Sequence, residues 1–179
     1  MAKVVAPLMS LEATGKFADA MVFQKGRGGK SIARIKKDPS NPNTDAQKAH
    51  RQKMAAGGKA IRATGNNSTG KTFFASRITG ENTWATVLSS SIIATFDEVK
   101  TYAASPANNT VVQAFQTQAA TLGVEKVSAK GASVPEVSAA QILIGIYIAF
   151  ARNGHSTLNH TLATLEAGDA AKVAVLIKN

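Results

Sequence analysis

One stretch of the sequence has the residue types and spacing of a nucleotide-phosphate site. Residues 65–72 read Gly-Asn-Asn-Ser-Thr-Gly-Lys-Thr. In a phosphate-binding loop of this pattern, backbone N–H groups hold the phosphates, the lysine reaches the β- and γ-phosphates, and the threonine holds Mg²⁺. Such a loop follows a buried parallel strand and opens a helix. Here the preceding residues are polar and helix-like, and no βαβ alternation is present, so we interpret residues 65–70 as a connecting loop.

The other candidate catalytic groups fit structural roles better than chemical ones. Asp97 and Glu98 are adjacent on a predicted helix, so they point in different directions and are typical of a solvated face. The serines at 89–91 suit close helix packing. His155 and His160 follow a helix end without a third metal ligand. The sequence has no cysteine, which excludes disulfides, thiolate catalysis and cysteine-based zinc sites. We therefore predict no enzyme activity, cofactor or metal site.

Positive charge is concentrated at the front of the chain. The formal net charge is +10. Residues 1–77 carry fifteen Lys and Arg against four acidic residues, whereas residues 78–179 carry six against seven. A basic front on a nearly neutral remainder indicates an acidic partner, either a nucleic acid or an acidic protein surface.

Within this front, exposed cations around a glycine-rich turn are the candidate contacts to a partner or to phosphates. A backbone that glycine makes flexible and that carries Lys and Arg side chains suits sequence-independent contact with nucleic acid. Only Phe17 and Phe23 interleave with the cations, so stacking on bases has little support. The alternative is an arm that is solvated or contacts protein. The candidate residues are Arg27, Lys30, Arg34, Lys36, Lys37 and Arg51.

Two extended runs flank this turn and predict a β-hairpin. Residues 17–23 form one predicted strand and residues 30–36 its partner, with Gly-Arg-Gly-Gly at 26–29 supplying positive-φ positions. An isolated two-stranded hairpin is only marginally stable in water, so it must pack against a helix or against another subunit. Pro39 and Pro42 then impose extended backbone. Residues 44–47 fit a capping box. We therefore divide the chain into an N-terminal arm and hairpin, 1–44, and a helical core, 45–179.

The core is predicted from helical spacing and end signals. Helices are expected over 45–63, 81–103, 111–122 and 137–152, with Trp84 in the core, Asn109 as a cap and Gly123 just beyond a helix end. A capping box at 133–136 is expected to open the segment 137–152. That segment is apolar all round, which favours a buried helix, although its alternating isoleucines leave a buried strand as an alternative. It is too short for a membrane span. Residues 170–177 are expected to form a final strand or a docking terminus.

The resulting fold class is α+β and mainly helical: an N-terminal β-hairpin and arm followed by a core rich in small residues. At 179 residues, one domain with an arm is the natural reading of the length. Pro7, Glu12 and Lys16 interrupt the apolar residues near the start of the sequence. We therefore expect no signal peptide, and we expect the protein to fold in a cytoplasm.

The front of the chain resembles a family of phage and prophage proteins of uncharacterised role. The resemblance rests on the Gly-rich basic hairpin, on Arg34, and on Asn-Pro-x-Thr-x-x-Gln-x-x-x-Arg at 41–51 opening a helix. It covers the first third of the chain well and the rest loosely. It implies a virion component without catalytic residues, made in the host cytoplasm, that contacts copies of itself and other virion proteins but no membrane, with DNA as a further candidate partner. A decoration or minor capsid protein is the expected role. The alternatives are a tail or neck protein and a small basic nucleic-acid-binding protein.

Overall fold

The chain divides into two units, Met1–Pro42 and Asn43–Asn179. The computed structural model describes residues 15–17, 21–25, 31–35, 43–65 and 68–177. The second unit is mainly helical.

The described part of the first unit consists of three short strands. These are β1 (Gly15–Phe17), β2 (Met21–Lys25) and β3 (Ser31–Ile35), in the order β1-β2-β3 with both pairs antiparallel. Phe17 pairs with Met21, so the chain reverses direction within the segment 17–23 that the sequence pattern predicted as a single strand. Lys25 pairs with Ser31 at the other end of β2. The predicted basic turn at 26–29 lies outside the described residues.

Six α-helices make up most of the second unit's described residues. They are α1 (Asp45–Gly65), α2 (Ser68–Ala75), α3 (Trp84–Ala104), α4 (Asn109–Leu122), α5 (Ala139–Arg152) and α6 (Asp169–Ile177). Two 3₁₀ turns, Pro106–Asn108 and Leu162–Thr164, lie between helices. Thr44 Oγ1 accepts a hydrogen bond from the Gln47 amide at 3.3 Å, as the predicted capping sequence requires.

Helix α5 lies at the centre of the core. All nine of its residues from 142 to 150 are buried, and α1, α3, α4 and α6 pack around it. The prediction of a buried apolar helix is therefore confirmed, and the alternative of a buried strand is wrong. The helix starts at Ala139 rather than at 137, because Ser138 and Gln141 form the capping box. The capping box predicted at 133–136 therefore does not open the helix. It is followed by Val137, which pairs with Val127 in an isolated β-bridge.

Helices α1 and α3 approach closely at a glycine. A Cβ atom on Gly57 would stand 3.3 Å from the Cβ of Ser89, a separation that leaves almost no spare room. The adjacent Gly58 has nothing within 4 Å of such an atom. Gly57 therefore allows the helices to pack at short range, and the predicted role of the serine run in helix packing holds for Ser89.

Three local predictions for the core are wrong. The loop expected over 65–70 is largely helical, because α1 continues to Gly65 and α2 begins at Ser68. Of the two alternatives for 170–177, the strand is wrong and the docking terminus agrees with the structure, because the segment belongs to α6, whose residues Val173, Leu176 and Ile177 are buried in the core. Asn109 is the first residue of α4 rather than its cap, which is Asn108. Gly123 does end α4 in the left-handed region, at φ 68°, as predicted.

No helix in the described part of the chain has both the length and the apolar character that crossing a membrane requires.

Candidate partner-contact site

The predicted contact residues fall into two groups. Arg34 lies on β3 and Arg51 lies exposed on α1. The other four lie outside the described residues: Arg27, Lys30, Lys36 and Lys37.

Arg51 lines an open cleft of about 360 Å³ at the beginning of α1. One wall is α1 and the residue before its cap; the other wall is the loop between α4 and α5. We call this the basic cleft, and its lining residues are Asn43, Lys48, Arg51, Ala129, Lys130 and Gly131. Arg51 Nη1 donates a hydrogen bond to Asn43 Oδ1 at 3.0 Å, which restrains the guanidinium against the cleft wall.

A buried glutamine fixes the loop that forms the second wall. Gln52 is 3% exposed. Its Nε2 donates to the carbonyl oxygens of Pro135 at 2.8 Å, of Ser128 at 3.2 Å and of Val134 at 3.5 Å. One side chain of α1 thus holds both ends of the 128–135 segment and places Lys130 beside the helix.

A second tie holds the tip of this loop to the first turn of α1. Asp45 Oδ1 accepts hydrogen bonds from Lys48 Nζ at 2.9 Å and from Ser133 Oγ at 2.8 Å. Hydrogen bonds from Lys48 and Ser133, together with the charge of Lys48, lower the pKa of the Asp45 carboxyl. A carboxylate at this position also suits the positive end of the helix dipole.

The remaining cations of α1 are paired with acidic residues of the core. Lys53 Nζ lies 2.5 Å from Asp97 Oδ2. Lys59 pairs with Glu125, and Arg62 lies 3.6 Å from the same carboxylate. Acidic residues of the same protein therefore neutralise part of the positive charge of residues 1–77. The prediction that Asp97 belongs to a solvated face is confirmed, since its side chain is 74% exposed.

The segment that fits the phosphate-loop pattern has the wrong surroundings for nucleotide binding. The residue before it is in α1, a helix, where such a loop needs a strand. A Cβ atom on Gly70 would stand 2.8 Å from Thr64 Cγ2 and 2.9 Å from the Leu176 carbonyl oxygen. Gly70 is therefore required for packing against α1 and α6, and it does not face an open phosphate cradle.

His160 belongs to a polar cluster that attaches α6 to the core. Its Nδ1 lies 2.7 Å from Oδ2 of Asp169, which is fully buried. Asp169 also accepts from Lys172 Nζ at 2.8 Å and from the Glu166 amide at 3.0 Å. Burial raises the pKa of the Asp169 carboxyl, but these hydrogen bonds outweigh burial and leave that pKa below its usual value. The paired carboxylate holds the beginning of α6 in place.

The hydroxyl of Tyr147 lies near this cluster. It is fully buried and makes no hydrogen bond within the described structure. Burial, with the nearby charge of Asp169, raises the pKa of Tyr147 to about 12.

His155 packs among aromatic rings rather than beside His160. Its ring centroid lies 4.9 Å from that of Phe73 and 5.6 Å from that of Phe150. Burial and then the charge of Arg77 lower the pKa of His155. Among the described residues, no group of three His, Asp or Glu side chains is arranged to hold a metal ion.

Sequence reasoning missed Lys48 and Lys130 as companions of Arg51. Lys48 carried a visible signal, since it lies three residues before Arg51 on the same helix. Lys130 had none, because it reaches the cleft through contacts between Gln52 and residues about eighty positions later in the chain.

Comparison of the chain with protein-family models, with curated proteins and with solved structures finds no match.

Proposed function

We propose that this protein is a non-enzymatic structural component of a phage particle, which assembles through its N-terminal arm and basic hairpin. A capsid-stabilising role, as a decoration or minor capsid protein, is the preferred version. A tail or neck component is the alternative position in the particle.

The observation that carries the proposal is the small N-terminal sheet. Its three strands have 3, 5 and 5 residues, close to the minimum for an independent sheet. β3 is at an edge of the described sheet, and its last residue, Ile35, is 80% exposed. An edge strand with an exposed apolar side chain is a template for pairing with another chain.

The helical unit supports this role in a different way. Its core centres on α5, which is buried from Ile142 to Phe150, and includes large buried side chains such as Phe74, Phe115 and Leu143. A subunit that has its own core can contribute its arm to neighbours without unfolding. Symmetric repetition then turns weak arm contacts into a stable shell or tube.

The proposal is tested by changing the exposed apolar residue of β3. Ile35→Asp should reduce self-association, measured by size-exclusion chromatography with light scattering, because it places a charge on the pairing edge. Val175→Asp is the matched control, since Val175 is also an exposed apolar residue, at 72%, but lies on α6. Wild-type protein that stays monomeric at high concentration and never joins particles would contradict the proposal, as would equal effects of the two variants.

The position within the particle is a separate question. Purified phage can be separated into heads and tails, and the chain can be located by mass spectrometry of each fraction. Recovery with heads supports the capsid role, and recovery with tails supports the alternative.

A further inference from the structure

We propose that the basic cleft binds phosphate groups of a nucleic-acid backbone. The site adds Lys48 and Lys130 to Arg51, and all of its described lining residues belong to the second unit. It goes beyond the assembly role and does not depend on it.

Three cations from two separate elements converge on the cleft. Lys48 and Arg51 come from α1, and Lys130 comes from the facing loop. Lys130 is exposed, and its ammonium makes no hydrogen bond or ion pair with any described residue. Lys48 gives one bond to Asp45, which leaves two of its three N–H donors for another acceptor. Lys48, Arg51 and Lys130 together with Asp45 carry a formal charge of +2 on a concave surface, where the electrostatic field is concentrated.

The walls of the cleft are fixed before any ligand arrives. Gln52 holds the loop at Ser128 and Pro135, and Asp45 holds its tip at Ser133. The small residues of the loop wall, Ala129 and Gly131, leave room for a phosphate to approach the backbone. Binding therefore needs little additional ordering of the loop, which favours affinity.

The chemistry of the lining favours a nucleic acid over an acidic protein. Protein partners are usually anchored by Trp, Tyr or Arg side chains in desolvated pockets at the centre of an interface. The described lining of this open cleft has no aromatic side chain; it consists of three cations, one amide and two small residues. The lining offers no aromatic side chain for bases to stack on, and Lys and Arg contacts to phosphates carry no sequence information. The cleft should therefore bind without sequence preference.

The test measures binding of the full chain to a labelled random-sequence DNA duplex by fluorescence anisotropy over a salt series. Lys130→Gln is the main variant, because Lys130 has no partner in the described fold to lose. Lys130→Gln combined with Arg51→Gln removes a second cation. Lys71→Gln, and Lys71→Gln combined with Lys100→Gln, are controls that remove the same charge at exposed positions outside the cleft.

Each cleft substitution should reduce the magnitude of the salt slope, log K against log [salt], by about 0.9. The same relation gives a loss of about eightfold in affinity at 0.1 M salt for each contact removed. The controls should change affinity by less than about twofold, by the residual long-range charge effect alone.

Three outcomes would overturn the proposal. The first is no duplex binding by the wild-type chain at low salt. The second is equal weakening by the cleft variants and their charge-matched controls. The third is polyglutamate binding that depends on Lys130 while duplex binding does not, which would assign the cleft to an acidic protein. Circular dichroism of every variant separates these outcomes from misfolding, and the Ile35 experiment tests assembly independently.

Discussion

Gln52→Met is the sharpest test of how the basic cleft is held together. Methionine has a similar length and fits a buried position, but it cannot donate hydrogen bonds. The substitution therefore removes the ties from Gln52 to the loop while keeping most of the packing. It does not touch any of the three cations of the cleft.

The cost can be worked from the three carbonyl groups that Gln52 contacts. The Val134 carbonyl also accepts from the Lys130 amide at 2.9 Å, so it keeps a partner. The carbonyls of Ser128 and Pro135 lose their bond to Gln52, and each belongs to an exposed residue that water can reach. The net loss for each is therefore at the lower end of the usual range, about 1 kcal/mol, and the sum is about 2 kcal/mol.

Two measurements check this value and its location. Urea unfolding should show a lower midpoint with an unchanged slope. Native-state hydrogen exchange should show faster exchange at the Lys130 amide, while amides of the buried α5 change only with global stability. Duplex affinity should also fall, although no charge has been removed. An unfolding free energy within about 0.5 kcal/mol of wild type, with Lys130 exchange unchanged, would refute the reasoning.

Three further predictions test other parts of the fold. Gly58→Ala should raise the unfolding free energy by about 1 kcal/mol, because the position is open and helical, whereas Gly57→Ala should gain less or lose stability against Ser89; urea unfolding of both variants decides this. Because the fold favours neutral His155, the unfolded chain binds the proton first, at a pKa of about 6.5. Stability present above that pH should be lost as pH falls toward the lower folded pKa, and His155→Gln should flatten this dependence in urea titrations from pH 8 to pH 5. Tyr147→Phe should leave stability unchanged or raise it by about 1 kcal/mol, because it removes a buried hydroxyl without a partner; a thermal or urea midpoint well below wild type would contradict this.

Helices with strong spacing and clear ends could be predicted from the sequence. The i, i+3, i+4 spacing from Trp84 onward identified α3, and Gly123 identified the end of α4. The apolar segment at 137–152 identified the central helix despite its alternating isoleucines. In these segments the local preference and the tertiary packing agree.

The wrong predictions share a physical cause, because in each case contacts with other parts of the fold override the preference of the local sequence. α6 is nine residues long and ends in Val-Ala-Val-Leu-Ile, so this end of its sequence favours a strand, and burial against the core decides the outcome instead. Two sequences before α5, at 133–136 and at 138–141, fit a capping box. Val137 pairs with Val127 in a β-bridge, so the helix begins after it and the second sequence forms the cap. In α2, glycine and polar residues suggested a loop, but Gly70 is needed for close contact with α1 and α6.

The candidate site was predicted only at Arg51. Charge counting located the basic front, but it could not show that Lys53, Lys59 and Arg62 pair with acidic residues of the core. It also could not place Lys130 beside α1, since that contact depends on the folded path of the 128–135 loop. Distances between residues far apart in the chain decided which of the described cations pair with acidic residues of the core.

The central claim is that this protein is a structural component of a phage particle. Quantitative mass spectrometry of gradient-purified particles, from a strain that carries the gene, tests it most directly. The account predicts peptides from the whole chain in the particle fraction, at many copies per particle, with Ile35→Asp reducing that number and Val175→Asp preserving it. Abundant protein in the lysate that is absent from purified particles would contradict the claim.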